Sequence, residues 1–153
     1  MSKEMESPAT LRPPERALHL RPAPLALVFA GGAVGSVARY GVACLLPTSA
    51  GHMPWATLIV NLVGAFVLGC LLETLVLAGP DHGHRRRLRL LLGTGFCGGL
   101  TTYSTFALDG RSLFAGGHVG AGVTYLAVTV VGGLVAAAVG VAVAARLVSG
   151  ADE

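Results

Sequence analysis

The chain has 153 residues, of which 53% are hydrophobic and only 12% charged, with a mean hydropathy of +0.68; soluble domains carry roughly 25% charge. This composition excludes a disordered chain and a typical soluble enzyme. The net charge of +3 sits in a tail and one loop, not on an aromatic-studded surface, which excludes a nucleic-acid binder. The apolar residues gather into runs with room for about four spans of 20 or so residues each. The expected fold class is therefore all-α integral membrane, with four transmembrane helices.

Residues 1–24 hold Lys3, Glu4, Glu6, Arg12, Glu15, Arg16, Arg21 and five prolines, a composition that buries no core and reads as a disordered tail. The first apolar run extends from about Leu25 to Leu46 and contains Arg39. Its start imitates a signal peptide with Ser36-Val37-Ala38 as the cleavage site, but the run continues past Ala38 and includes that arginine. A short uncharged loop, 47–54, leads to a second run from about Trp55 to Ala78 that contains Asn61. Next comes a turn-rich loop, 79–87, ending in Arg85-Arg86-Arg87. The third run, about Leu88 to Ala115, is interrupted by Gly93, Gly95, Gly98 and Gly99. The fourth, about Val119 to Val148, is almost entirely Ala, Val, Gly and Leu, and a polar tail closes the chain at 149–153. The membrane domain is thus expected over 25–148. Cys44, Cys70 and Cys97 lie far apart with no histidine at ligand spacing, implying neither a disulfide framework nor a zinc site.

Basic residues set the expected orientation. With the N terminus inside, the inner flanks hold Lys3, Arg12, Arg16, Arg21, Arg85, Arg86, Arg87, Arg89 and Arg146, against Arg111 alone outside, nine to one. The positive-inside rule then places both termini and the 79–87 loop in the cytoplasm.

Polar side chains inside a span need a partner or a water-filled path, so they are the candidate functional residues. Arg39 and Asn61 each lie about seven residues from the outer end of their span, roughly 10 Å deep. A guanidinium and an amide donor at one level suit an anion; the plain alternative is an arginine that snorkels or clamps backbone carbonyls. In span three, Gly93 to Gly98 formally matches G-x-G-x-x-G, but no strand precedes it and no βαβ unit fits. Gly98-Gly99 followed by Thr101 and Thr102 near the midplane marks instead where the helix can unwind, so the third helix is expected to be broken near its middle. Unwound carbonyls at that depth are buried in protein or coordinate a cation. The alternative is a packed glycine helix whose threonines bond back to their own turn.

Tyr103 and Phe106 are three apart and share a helix face beside the hydroxyls of Ser104 and Thr105. Ring edges carry the positive part of the quadrupole and can line an anion's path; core packing is the plainer reading. In span four, Thr129 lies one turn beyond Tyr125, and Gly132, Ala136, Gly140 and Ala144 form a small-residue stripe suited to close helix contact.

Three motifs, Gly31 to Tyr40, Thr57 to Gly64 and Gly95 to Phe106, together resemble the small bacterial fluoride channels of the Fluc or CrcB family, over about Leu25 to Val148. The resemblance implies an antiparallel dimer with two fluoride pores and a structural sodium ion at the centre of its interface. By position, backbone carbonyls of Gly98 and Thr101 would bind the sodium, and Tyr103 and Phe106 would line the pore with Ser104 and Thr105. Asn61 would be the span-two pore amide, Arg39 the cation at the pore entrance, and Tyr125 and Thr129 the span-four polar track. The sequence departs from the family pattern where Tyr103 replaces the usual Phe and Gly133 stands at a hydroxyl position; Asp109 falls where a glutamate is common.

The implied function is passive export of cytoplasmic fluoride across a bacterial cell membrane; no Walker motif for an ATP-driven pump is present, and a channel rather than an enzyme is expected. An antiparallel homodimer needs one chain to insert both ways, which the nine-to-one bias opposes, so the expected partner is a paralogous subunit of opposite bias. Two other readings compete. A proton-coupled drug exporter needs a membrane-embedded carboxylate; span one has none, and the candidate is Glu73, near the inner end of span two. A non-conducting membrane partner subunit explains the small-residue faces but not Arg39, Asn61 and the broken span together.

Overall fold

A computed structural model describes residues 22–49 and 51–150. The expected tail falls outside these residues except at its end, where α1 (Pro22–Leu45) begins three residues earlier than the hydropathy indicates. Pro22 and Pro24 sit in the first turn, where a missing N–H breaks no helical bond. Next come α2 (Trp55–Leu77) and a short α3 (Gly83–Leu88); a stretch of π-helix then covers Arg89–Cys97, and α4 (Gly98–Leu100) continues it. After a two-residue break come α5 (Tyr103–Ala115) and α6 (Val119–Ser149). Among the described residues there is no strand. Three helices, α1, α2 and α6, are long and apolar enough to cross a membrane unbroken; the third span is the composite from the π-helix through α5. The chain is thus a multi-pass membrane protein of four spans. Large apolar side chains such as Phe29, Val76, Leu134 and Leu147 point outward, as a lipid-facing surface requires.

The third span differs from the sequence expectation in three ways. Residues 83–87, expected within the loop, are helical as part of α3, so Arg85, Arg86 and Arg87 lie on one turn-and-a-half of helix. Gly98 and Gly99 do not unwind: they are helical, and the break comes after them, with extended backbone at Thr101 (ψ 157°) and Thr102 (φ −149°, ψ 127°). The π-helical turns are the third difference, and packing explains what they accommodate. A methyl group on Gly31 would overlap the Leu91 carbonyl oxygen and lie 2.9 Å from the Phe96 nitrogen; one on Gly35 would overlap the Phe96 oxygen and lie 2.8 Å from the Leu100 nitrogen. Successive glycines of α1 therefore meet positions five apart in the π-helix and four apart beyond it. The wide turns keep one continuous ridge of backbone against α1.

Span four packs most extensively along span two. Its small-residue stripe is what allows this: Gly140 lies against the Phe66 carbonyl and Cys70 amide, and Gly69 of α2 lies against Ala137. The stripe thus serves contact within the subunit. The bundle consists of two close pairs, span one with span three and span two with span four. A core of Leu58, Leu113 and Tyr125, with Phe106 and Leu62 against it, closes one end of the bundle.

Candidate functional site

The site forms where the third span breaks. In a continuous helix the Thr102 amide would close on the Gly98 carbonyl; here it donates to Oδ1 of Asn61 at 2.8 Å. Likewise the Thr105 amide, which would close on the Thr101 carbonyl, donates to Oγ1 of Thr102 at 3.2 Å, so Thr102 caps α5. Redirecting these two amides removes the helical donors of the Gly98 and Thr101 carbonyls, the two oxygens that the family resemblance implies as ligands. Asn61 completes its clamp by donating Nδ2 to the Thr102 carbonyl at 3.2 Å. Thr101 does bond back to its own turn, Oγ1 to the Cys97 carbonyl at 2.9 Å, so both readings of this segment hold in part.

Beyond the break, the first turns of α5 carry an aromatic row. Tyr103 and Phe106 have ring centroids 6.1 Å apart, tilted by 48°, and Phe106 stands 5.5 Å from Tyr125 of α6, tilted by 44°. Exposure falls along the row from Tyr103 at 81% to Tyr125 at 0%. The Tyr125 hydroxyl donates to Oδ2 of Asp109 at 3.4 Å, and the Thr57 hydroxyl donates to the same oxygen at 2.7 Å. Spans two, three and four are thus tied through one carboxylate oxygen. The sequence analysis left the role of Asp109 open and did not single out Thr57, which lies 52 residues away.

Arg39 is half-buried and faces a cleft of about 230 Å³ whose polar wall is Ser36, Thr57, Thr102 and Thr105. A second cleft, of about 250 Å³, is lined by Asp109, His52 and Ser112. The Thr57–Asp109 hydrogen bond therefore stands between the two. Of the other candidates, Ser104 is exposed beside Thr102, with the two hydroxyl oxygens 3.2 Å apart. Thr129 is buried and gives its hydroxyl to the Tyr125 carbonyl at 2.7 Å. Gly98 and Gly133 face open space within the subunit. The Thr102 cap was legible in principle as a threonine opening a helix; the Asn61 clamp, which spans 41 residues, was not.

This arrangement holds a fixed cation, a line of hydroxyls and a row of aromatic rings beside freed backbone carbonyls. Residues 26–141 match the family described as CrcB-like protein, Camphor Resistance (CrcB). The chain belongs to the CrcB family. Among its CrcB relatives, a fluoride-specific ion channel FluC 2 of Leifsonia xyli subsp. xyli is 45% identical over 130 residues, 85% of this chain and 89% of that one. FluC 1 of Cutibacterium acnes is 46% identical over 133 residues, covering 87% and 92%. FluC 1 of Streptomyces coelicolor is 44% identical over 112 residues, covering 73% and 71%.

Proposed function

We propose that this chain is a subunit of a fluoride-selective channel through which fluoride leaves the cytoplasm passively. The observation that carries the proposal is its likeness, at 45% identity across 89% of the relative's length, to a CrcB protein named as a fluoride-specific channel. The site's chemistry supports it. Fluoride is small and strongly hydrated, and leaves water only where donors replace its shell weakly enough to release it again. Arg39 draws the anion to the cleft, the hydroxyls of Ser36 and Thr105 replace part of its water, and the edges of Phe106 and its neighbours accept it without fixing it.

A structural sodium ion fits the freed carbonyls of Gly98 and Thr101, since each has lost its helical donor to Asn61 or Thr102. Such an ion would compensate two exposed carbonyl dipoles where the open face of Gly98 meets a second subunit. The channel is then an antiparallel dimer with both termini of this chain in the cytoplasm. The nine-to-one bias favours a paralogous partner of opposite orientation over a second copy. Relatives whose names are numbered 1 and 2 accord with such pairs.

The test is efflux from liposomes. A reconstituted pair should release fluoride far faster than chloride, this chain alone should release little, and a C-terminal tag should be found only on the cytoplasmic face of cells. Equal rates for the two anions would refute the channel. Tags on both faces, with fluoride flux from this chain alone, would replace the heterodimer with a homodimer.

A further inference from the structure

At the other end of the bundle from the Asp109 core, the chain turns between spans two and three. Gly83, at φ +54°, allows the abrupt entry into α3, and α3 with the first π-helical turn places Arg85, Arg86, Arg87 and Arg89 close together. Three of the four are committed within the subunit. Arg85 donates to the Ala78 carbonyl. Arg86 donates to the Asp81 carbonyl at 3.2 Å and lies 3.7 Å from its carboxylate, while Arg89 takes both Asp81 oxygens at 3.2 and 2.5 Å. Arg87 is exposed and, among the described residues, makes no hydrogen bond or ion pair.

Arg87 stands at a cleft of about 460 Å³ between the start of α1 and the third span, with Arg86 beside it and Pro24, Leu27 and Leu90 forming an apolar floor. We propose that this cleft binds an anionic phospholipid, its phosphate on the Arg87 guanidinium and an acyl chain along Leu27 and Leu90. A guanidinium offers a phosphodiester two parallel N–H donors, and basic pockets between spans at a membrane face attract acidic headgroups. A free phosphate would leave the apolar floor unused. A second copy would bring its own arginines against these. Residues 1–21 hold four basic residues against three acids, so that segment does not complement the cluster's charge either. The site is independent of which ion the bundle conducts.

Native mass spectrometry of the full chain, with phosphatidylglycerol and phosphatidylcholine of equal chain length, tests the proposal. The natural chain should retain phosphatidylglycerol about fivefold more strongly. R87Q should reduce that ratio to near one, R111Q in α5 should leave it unchanged, and excess inorganic phosphate should not abolish it. A photoreactive residue in place of Leu27 should label phospholipid. Equal retention of the two lipids, an undiminished preference in R87Q, loss of the preference to phosphate, or labelling of residues 1–21 or of a second copy would each overturn it.

Discussion

The Asn61 side chain serves Thr102 as a surrogate peptide group, accepting its amide at 2.8 Å and donating to its carbonyl at 3.2 Å. Through these two bonds span two holds open the break in span three. Asn61→Leu keeps the volume and removes both, leaving a part-buried amide without its acceptor at a cost of about 1–3 kcal/mol. The variant should melt earlier in detergent, and its Thr102 amide should exchange hydrogen faster than in the natural chain. A melting point and exchange rate identical to the natural chain would show that the break is held by other contacts.

The close approach of spans one and three rests on glycine. In Gly35→Ala the added methyl would overlap the Phe96 carbonyl oxygen, so the spans must separate, at a cost of about 3 kcal/mol. Gly41 lies on the same helix with nothing within 4 Å of an added methyl, and Gly41→Ala should be neutral or slightly stabilising. Thermal unfolding of the two variants side by side checks this; equal melting points would contradict the packing described.

Phe106 stands between Tyr103 and Tyr125. Phe106→Ile keeps most of the bulk and removes the ring edge, so fluoride flux should fall at least about tenfold, equivalent to about 1.4 kcal/mol in the barrier, while the protein still folds. Flux equal to that of the natural channel would reduce the row to packing.

Thr57 and Tyr125 donate to the same oxygen of Asp109, so their contributions should not be independent. In a double-mutant cycle of Thr57→Val and Tyr125→Phe, the combined loss of stability should differ from the sum of the single losses by at least about 0.5 kcal/mol. Strict additivity in thermal or chemical unfolding would mean that the two donors act separately.

If sodium bridges the freed Gly98 and Thr101 carbonyls as proposed, replacing it by potassium throughout purification should lower the melting point of the assembled dimer, because the larger ion of equal charge does not match the carbonyl spacing. Gly98 has open space around it within the subunit. Gly98→Val should therefore leave the subunit folded, weaken assembly and remove the sodium effect. Size-exclusion chromatography in each salt distinguishes these outcomes, and a sodium-independent natural dimer would rule out the ion.

Features that depend on neighbours along the chain were legible beforehand. Four apolar runs defined four spans, because hydropathy is a sum over adjacent residues. The three-residue spacing of Tyr103 and Phe106 placed their rings on one helix face, and the glycines and threonines of 98–102 marked a weak stretch of span three. The location of the break was less legible. Propensity pointed to Gly98-Gly99, where the helix is least favoured in isolation. Those glycines instead stay helical, and Gly99 lets the backbone of α4 close on Gly32; the break moved to Thr101 and Thr102, where Asn61 supplies substitute hydrogen bonds.

By itself the sequence determined that this chain lives in a membrane, how many times it crosses, which residues are too polar for their depth, and which known family its motifs resemble. Only the tertiary structure decided that Asn61 clamps Thr102, that Thr57 and Tyr125 converge on Asp109, that π-helical turns keep span three against span one, and that Arg87, of the four arginines at 85–89, is left unpaired among the described residues. The difference is physical. Partition into lipid and local propensity act residue by residue along the chain, whereas a hydrogen bond between positions 41 or 52 residues apart exists only once packing has chosen which helix faces meet.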